Sequence, residues 1–485
     1  VELNRLVRAL EASDLLISGV ADNPTVKGVA DDSRRVAEGT LFCAIDGVDS
    51  DGHDFVPNAI ESGAVAALVT RKLEIDIPQL IVKDGRRATG VVAREWYGNP
   101  ASRMRLVGVT GTNGKTTTVS ILWHLLNATA AAGRIGTLGA FDGTDSKLEG
   151  YASLTTPGAL EFHKVLSELE GRGVSTVVLE ASSHGLDQGR LDAVQFDAAV
   201  YTNLTHEHLD YHPTMDAYAS AKMRLSGLLK NGGVEVVNAD TEVWNAIPER
   251  DIIRRVRYGR EESAEVIATN EVMSASGTEY TTRFGQTECS VSLPLLGEFN
   301  VSNALAAAAT AWALGEKPED MADRLRQAPP VPGRMEILAS REFTVLRDYA
   351  HTPDGFQRSI ATIKAITPGR LLVLFGVGGD RDREKRPVMG EIAAREADLV
   401  ILTEDNPRTE DPEATIDDIE KGMVGIDHLR IRDREEGIRK AISLLDEDDC
   451  LLLLGKGHET YQIIGTEKLP FDEREIVTSA LEDLG

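Results

Sequence analysis

The run Arg105-Leu-Val-Gly-Val-Thr-Gly-Thr-Asn-Gly-Lys-Thr-Thr-Thr-Val119 constrains the fold of this chain more than any other stretch, because an apolar strand feeds a glycine-rich turn and then Lys115-Thr116 at a helix start. A turn of this kind cradles a triphosphate. Backbone N–H groups from Gly111 through Thr112, Asn113 and Gly114 can face phosphate oxygens, Lys115 can reach the β- and γ-phosphates, and Thr116, followed by Thr117, can hold Mg²⁺ through its hydroxyl. Val119, Ile121, Leu122, Leu125 and Leu126 follow at helical spacing, so the strand, loop and helix that the motif requires are all present. Val109 departs from the strict P-loop, which has glycine five residues before Gly114; glycines stand instead at 108 and 111. The string predicts binding of ATP or GTP.

Length and composition bound what surrounds that turn. The 485 residues allow about three domains at roughly 150 residues each. A hydrophobic content of 42% excludes a disordered or fibrous chain. The net charge of −26, from 52 basic and 78 acidic residues with no basic stretch, argues against a nucleic-acid partner. Cys43, Cys289 and Cys450 lie far apart and match no zinc or redox spacing, which predicts a reduced, cytoplasmic setting. The opening Val-Glu-Leu-Asn-Arg has no signal-like apolar core, and no apolar run reaches the ~18 residues that span a bilayer, so no membrane span is expected.

Turn chemistry divides the chain into 1–102, 103–332 and 333–485. The first boundary is Asn99-Pro-Ala-Ser102, just before the P-loop strand, and the second is Ala328-Pro-Pro-Val-Pro-Gly333, where proline removes backbone donors and fixes an extended linker. Between them lie two more buried-strand candidates, Ser175 to Leu179 and Ala198 to Thr202, and an alanine-rich helix from Val301 to Leu314. After residue 333, three apolar runs (371–375, 399–402 and 451–454) each lead into a polar motif, which reads as a parallel, doubly wound sheet with ligands beyond the carboxyl ends of its strands. The predicted class is α/β in three domains, with a P-loop ATPase domain in the centre and a Rossmann-like domain at the C-terminus.

Two strand ends supply what a Mg–ATP site needs. Glu180 ends the run Thr176 to Leu179 where an NTPase carries a metal-binding acid. His206-Glu-His-Leu-Asp-Tyr-His212 packs three histidines and two acids into seven residues. That cluster reads alone as zinc-like, magnesium-linked or structural, and its place beside the P-loop favours magnesium.

Gly111-Thr-Asn-Gly-Lys-Thr-Thr117, Thr155-Thr-Pro157, Glu180 to His184, Thr202-Asn-Leu204 with His208 to His212, Asp348-Tyr-Ala-His351 and Gly455-Lys-Gly-His458, in that order, resemble the Mur ligases, ATP-dependent amide-bond formers of peptidoglycan precursor synthesis. Asp32-Ser33-Arg34, the string ending at Asp382, Asp405-Asn-Pro-Arg408 and Gly457-His-Glu459 resemble the branch that adds the third residue of the stem peptide. The resemblance implies ATP as co-substrate, Mg²⁺ held by Thr116, Glu180 and His208, and catalytic roles for Lys115, Glu180, His208 and Lys222. Lys222 falls where the family carries a carbamylated lysine, a cation converted into a metal-binding carboxylate. It also implies that Asn300, Arg334 and Asp348 contact ATP. Ser33, Val48, Asp49, Ser50, Thr155, Thr156, Ser182, Gln188 and Arg190 would contact UDP-N-acetylmuramoyl-L-alanyl-D-glutamate, making residues 1–102 the domain for that substrate. Leu154, where an Asn commonly precedes Thr-Thr-Pro, and Asp31, at a usually apolar position, depart from the pattern.

The resemblance further implies that residues 333–485 bind the incoming amino acid. Its identity turns on Asp405-Asn406-Pro407-Arg408: meso-diaminopimelate carries a second carboxylate that lysine lacks, and a guanidinium grips a carboxylate in a bidentate pair. Arg408 would attract that substrate and reject lysine, with Arg381 as a second guanidinium, Asn406 as a polar contact, Asp405 or Glu459 as ammonium acceptors, and Gly455 beside them. A monomer is expected. Three other readings remain: a lysine-adding relative, a folylpolyglutamate synthase-like ligase, and a nucleotide-binding scaffold without catalysis.

Overall fold

The structure is a computed structural model that describes residues 1–19, 22–47, 50–151, 154–209 and 211–483. Its N-terminal sheet has the strand order Leu16–Ser18, Gln79–Val82, Ala64–Val69, Thr40–Cys43, Gly28–Ala30, parallel except for the first pair. Helices Leu3–Ala12 and Gly85–Trp96 cover one face through Leu3, Leu6, Leu10, Ala88, Val91 and Val92.

The P-loop strand Arg105–Thr110 lies inside a ten-stranded sheet, parallel to Phe196–Tyr201 on one side and Thr176–Glu180 on the other. Its side chains alternate between two cores, as the period of a strand buried on both faces requires. Leu106 joins Val177, Leu179 and Ala199 against Phe162, Val165 and Leu166 of helix Ala159–Gly171. Val107 and Val109 join Val178, Ala198 and Val200 against helices Lys115–Asn127 and Glu298–Ala313. Both predicted neighbours of the P-loop strand and the alanine-rich helix are thus present, with ends shifted by a few residues. A meander of Val266–Ser274, Gly277–Phe284 and Thr287–Leu293 extends the sheet antiparallel at its far edge and went unread in the sequence.

The C-terminal sheet runs Glu336–Ser340, Thr344–Asp348, Cys450–Leu454, Leu371–Phe375, Leu399–Leu402, His428–Arg430. Leu371, Val373 and Phe375 pack against helices Pro353–Ile366 and Lys385–Glu396, while Leu372 and Leu374 pack against Arg434–Ile442 and Glu473–Asp483. The three predicted runs pair in parallel, and one edge adds an antiparallel strand unread in the sequence: Glu336–Ser340 beside Thr344–Asp348. Only three residues join those strands, too few for the crossover a parallel pair needs.

Candidate active site

The triphosphate turn is held from behind by the loop after Phe196–Tyr201. Thr112 N–H donates to the Asn203 carbonyl (2.8 Å) and Asn113 N–H to Asn203 Oδ1 (2.9 Å), while Thr202 Oγ1 donates to the Asn113 carbonyl (2.8 Å). Two N–H groups expected to face phosphate are therefore spent on the turn itself. The first intrahelical bond runs from Thr118 N to Gly114 O, so the N–H groups of Lys115, Thr116 and Thr117 are left at the positive end of the helix for an anion. Gly114 has φ +84, and a Cβ there would lie 2.1 Å from Asn303 Oδ1. Only glycine lets Asn303 come this close.

Lys115 and Lys222 converge on one carbonyl. Lys115 Nζ donates to Gly111 O (2.9 Å) and Thr112 O (2.7 Å), and Lys222 Nζ to Gly111 O (2.7 Å). Lys222 is 1% exposed, with its Nζ 4.3 Å from the centre of the Tyr218 ring. Burial, then the nearby Lys115 charge, depresses the Lys222 pKa well below the usual lysine value, against the pull of Glu207. Burial lowers Lys115 too, opposed by Glu207 and Glu180.

Glu180 ends strand Thr176–Glu180 with 1% exposure, accepting from Thr137 N–H (2.9 Å) and Thr137 Oγ1 (3.1 Å). It lines a small cavity together with Thr116, Ser120, Arg134 and Gly136. His208 adopts φ +58, and its ring lies 4.8 Å from that of His184. Burial pushes its pKa down to about 4 despite Glu207, helped by His184, Lys115 and Lys222, so the imidazole is neutral at physiological pH. Hydroxyl, carboxylate and neutral imidazole from three strand ends thus gather around the P-loop.

The C-terminal sheet closes over this group. Arg334 Nη2 donates to Thr116 Oγ1 (3.3 Å) while the guanidinium stacks 4.5 Å from the Tyr349 ring. His351 Nε2 lies 3.3 Å from Glu207 Oε1. Burial would raise the Glu207 pKa, but His351, His208 and Lys115 outweigh it and hold the carboxyl below its usual range. In the sequence Glu207 reads only as one acid of the His206 to His212 cluster, and Asn303 does not stand out. Asn300 and Asp348 are occupied within the protein: Asn300 bonds Leu296 O and Asn303 Nδ2, and the Asp348 carboxylate accepts from Met335 N–H, Ala350 N–H and Ser359 Oγ.

Thr156, Ser182, Gln188 and Arg190 form one connected group. Thr156 Oγ1 donates to Glu180 O (2.8 Å) and accepts from Ser182 N–H (2.9 Å), Arg190 Nη1 donates to Thr156 O (2.7 Å), and Arg190 Nη2 to Gln188 Oε1 (2.7 Å). Thr155 Oγ1 lies 3.1 Å from Thr137 Oγ1, which binds Glu180. Ser33 starts the short turn Ser33–Arg35 and Ser50 is exposed, both on loops of the N-terminal sheet. Val48 and Asp49 lie outside the described residues.

Asp405, Asn406, Pro407 and Arg408 follow strand Leu399–Leu402 and meet the turn after Cys450–Leu454. Gly455 has φ +108 and a Cβ there would lie 2.7 Å from Asp405 Oδ2. Asn406 Nδ2 donates to Glu459 Oε2 (2.8 Å). Arg408 has φ +53, a conformation held by Arg408 N–H to Ile463 O (3.0 Å) and Gly465 N–H to Arg408 O (2.8 Å). Its Nη1 donates to Gly379 O (2.7 Å), and Arg381 is exposed nearby on the same glycine-rich loop.

Three family models match successive parts of the chain. The description "Mur ligase family, catalytic domain" matches residues 25–97, "Mur ligase middle domain" residues 109–311, and "Mur ligase, glutamate ligase domain" residues 333–457. The chain belongs to the Mur ligase family. Among relatives of this Mur ligase, a protein of Geobacillus kaustophilus named UDP-N-acetylmuramoyl-L-alanyl-D-glutamate–2,6-diaminopimelate ligase is 41% identical over 474 residues, 96% of each chain. A protein of the same name from Bacillus cereus is 40% identical over 95% of each. A solved structure titled as that ligase superposes with a TM-score of 0.69 at 33% identity, covering 95% of both chains. Among the described residues of this Mur ligase no helix is long and apolar enough to cross a membrane.

Proposed function

We propose that this Mur ligase joins meso-diaminopimelate to the D-glutamyl carboxylate of UDP-N-acetylmuramoyl-L-alanyl-D-glutamate at the expense of ATP, in the cytoplasm and as a monomer. Arg408 carries the choice of amino acid: its guanidinium, oriented by a 2.7 Å bond to Gly379 O, can pair with the second carboxylate that lysine lacks. Near full-length identity to relatives of that name supports the reading over a folylpolyglutamate synthase or a scaffold. Residues 1–102 hold the uridine-linked substrate, 103–332 ATP, and 333–485 the amino acid.

A carboxylate does not react with an amine unaided. Its oxygen attacks the γ-phosphorus of ATP, ADP leaves, and the amine displaces phosphate from the resulting acyl phosphate. Lys115 and the N–H groups of residues 115–117 face the charge that builds on the transferring group, and Arg334 presents a further cation beside Thr116. Thr116, Glu180 and His208 fit Mg²⁺, since hydroxyl and carboxylate oxygens line one cavity and the neutral imidazole keeps a lone pair. Bound there, Mg²⁺ neutralises phosphate charge.

Lys222 is suited to carbamylation. Burial and the Lys115 charge lower its pKa well below the usual lysine value, which favours the unprotonated amine over a free lysine; that amine attacks CO₂, one N–C bond forms and a proton leaves, giving a carboxylate next to Gly111. The mechanism is tested with substrate labelled with ¹⁸O in the D-glutamyl carboxylate. One label must appear in the released phosphate; phosphate free of label would exclude the acyl-phosphate route.

A further inference from the structure

Lys456 has no place in the assignments above, yet it is the most deeply buried lysine near the amino-acid site, at 0% exposure. Flanked by Gly455 and Gly457, it points inward, with Nζ 5.6 Å from the centre of the Phe471 ring and 5.9 Å from that of Tyr461. Placing an ammonium group among aromatic rings and away from water is costly unless partners are provided. Two are present: Asn406 Oδ1 at 3.2 Å and Glu459 Oε2 at 3.4 Å.

Those partners are also bound to each other, so the geometry of all three is interdependent. Asn406 Oδ1 accepts from Ile463 N–H (2.9 Å) as well as from Lys456, which fixes the amide orientation and turns Nδ2 onto Glu459 Oε2 (2.8 Å). A turn closed by Glu459 N–H to Lys456 O (3.0 Å) sets the lysine and the glutamate side by side. Two donors therefore converge on one Glu459 oxygen. Lys456 is enclosed, so it cannot itself meet a substrate; Glu459, 15% exposed, can.

We propose that Lys456 is a positioning residue for the incoming amino acid: its buried ammonium locks Asn406 and Glu459 so that the Glu459 carboxylate receives an ammonium group of the diamino acid. This rests on the assignment of Asn406 and Glu459 to the amino-acid site. Lys456 thereby acts on one substrate only, through Glu459.

The test is steady-state kinetics of the full chain with Lys456→Met, Glu459→Gln and the double variant, varying each substrate in turn. Lys456→Met should raise KM for diaminopimelate about 10-fold while leaving KM for ATP and for the uridine-linked substrate within about 2-fold, and it should add less than about 2-fold in the Glu459→Gln background. A shared rise in all three KM values, or costs that multiply independently in the double variant, would overturn the proposal in favour of a general structural role. If Lys456→Met does not fold, Glu459→Gln decides alone, because that change lies at a partly exposed position. It must lower the preference for diaminopimelate over 2-aminopimelate, which lacks one ammonium group; an unchanged preference defeats the proposal. Failure of the wild type to use diaminopimelate at all would instead refute the assignment on which it rests.

Discussion

Replacing Arg408 by alanine is the perturbation that probes substrate choice most selectively. The residue keeps its left-handed backbone in the variant, because the bonds to Ile463 O and from Gly465 N–H involve main-chain atoms only. What disappears is a guanidinium already oriented by its 2.7 Å bond to Gly379 O, so little rotamer freedom is lost when substrate arrives. Hydrogen bonds to a charged group contribute about 1.5–3 kcal/mol each. Arg408 is only half-buried, which discounts a bidentate pair to about 3 kcal/mol, or on the order of 10²-fold in kcat/KM for diaminopimelate. Arg408→Lys, retaining charge but losing the planar fork, should fall between, at roughly 10-fold. Phosphate release measured against diaminopimelate and against L-lysine, with ATP and the uridine-linked substrate saturating, provides the comparison. Discrimination against lysine should shrink in Arg408→Ala because the guanidinium that lysine leaves unpaired is gone. A diaminopimelate-to-lysine ratio equal to that of the wild type, or an equal loss in KM for ATP, would refute the assignment.

Other changes act on the remaining parts of the site. Gly114→Ala forces a Cβ against Asn303 Oδ1 at a positive φ and should abolish measurable ATP turnover while circular dichroism stays native; robust turnover would contradict the cradle geometry. Lys222→Ala should lose most activity, be indifferent to bicarbonate and recover in part with short-chain carboxylic acids, whereas intact-mass data showing an unmodified and dispensable Lys222 would count against carbamylation. His163, buried against Phe162, has its pKa pushed down to about 3 by burial, with Arg94 adding to the effect. The unfolded chain therefore takes up a proton that the folded chain refuses, and stability falls as pH drops below about 6.5. Thermal melts between about pH 7 and pH 5 should show a shallower fall in Tm for His163→Phe than for the wild type.

The sequence made local, contiguous features legible and hid those assembled across distance. Gly111 to Thr117 carries its own strand, turn and helix, so the cradle could be read directly; Glu180 and His208 could be placed because each follows an apolar run that can only be a buried strand. Asn303, which touches Gly114, sits in an alanine-rich helix where one asparagine has no local signature. Glu207 meets His351 only because two sheets pack together, and nothing within Gly455-Lys-Gly-His458 announces the Phe471 and Tyr461 rings that enclose Lys456. Asp348, expected at ATP, spends its carboxylate on the N–H groups of Met335 and Ala350 and on Ser359, so it shapes the connection after the proline-rich linker. The meander from Val266 to Leu293 escaped notice because its strands are rich in threonine, serine and glutamate, lack a continuous apolar run and bear no chemical motif.

The central claim is tested most directly by amino-acid-dependent phosphate release from ATP in the presence of UDP-N-acetylmuramoyl-L-alanyl-D-glutamate, with mass spectrometry of the uridine-linked product. Meso-diaminopimelate should stimulate release strongly and yield the tripeptide, while L-lysine and the absence of an amino acid should give little. Equal or better turnover with lysine would contradict the role given to Arg408, and no acceptor-dependent release with any diamino acid would contradict the ligase assignment itself.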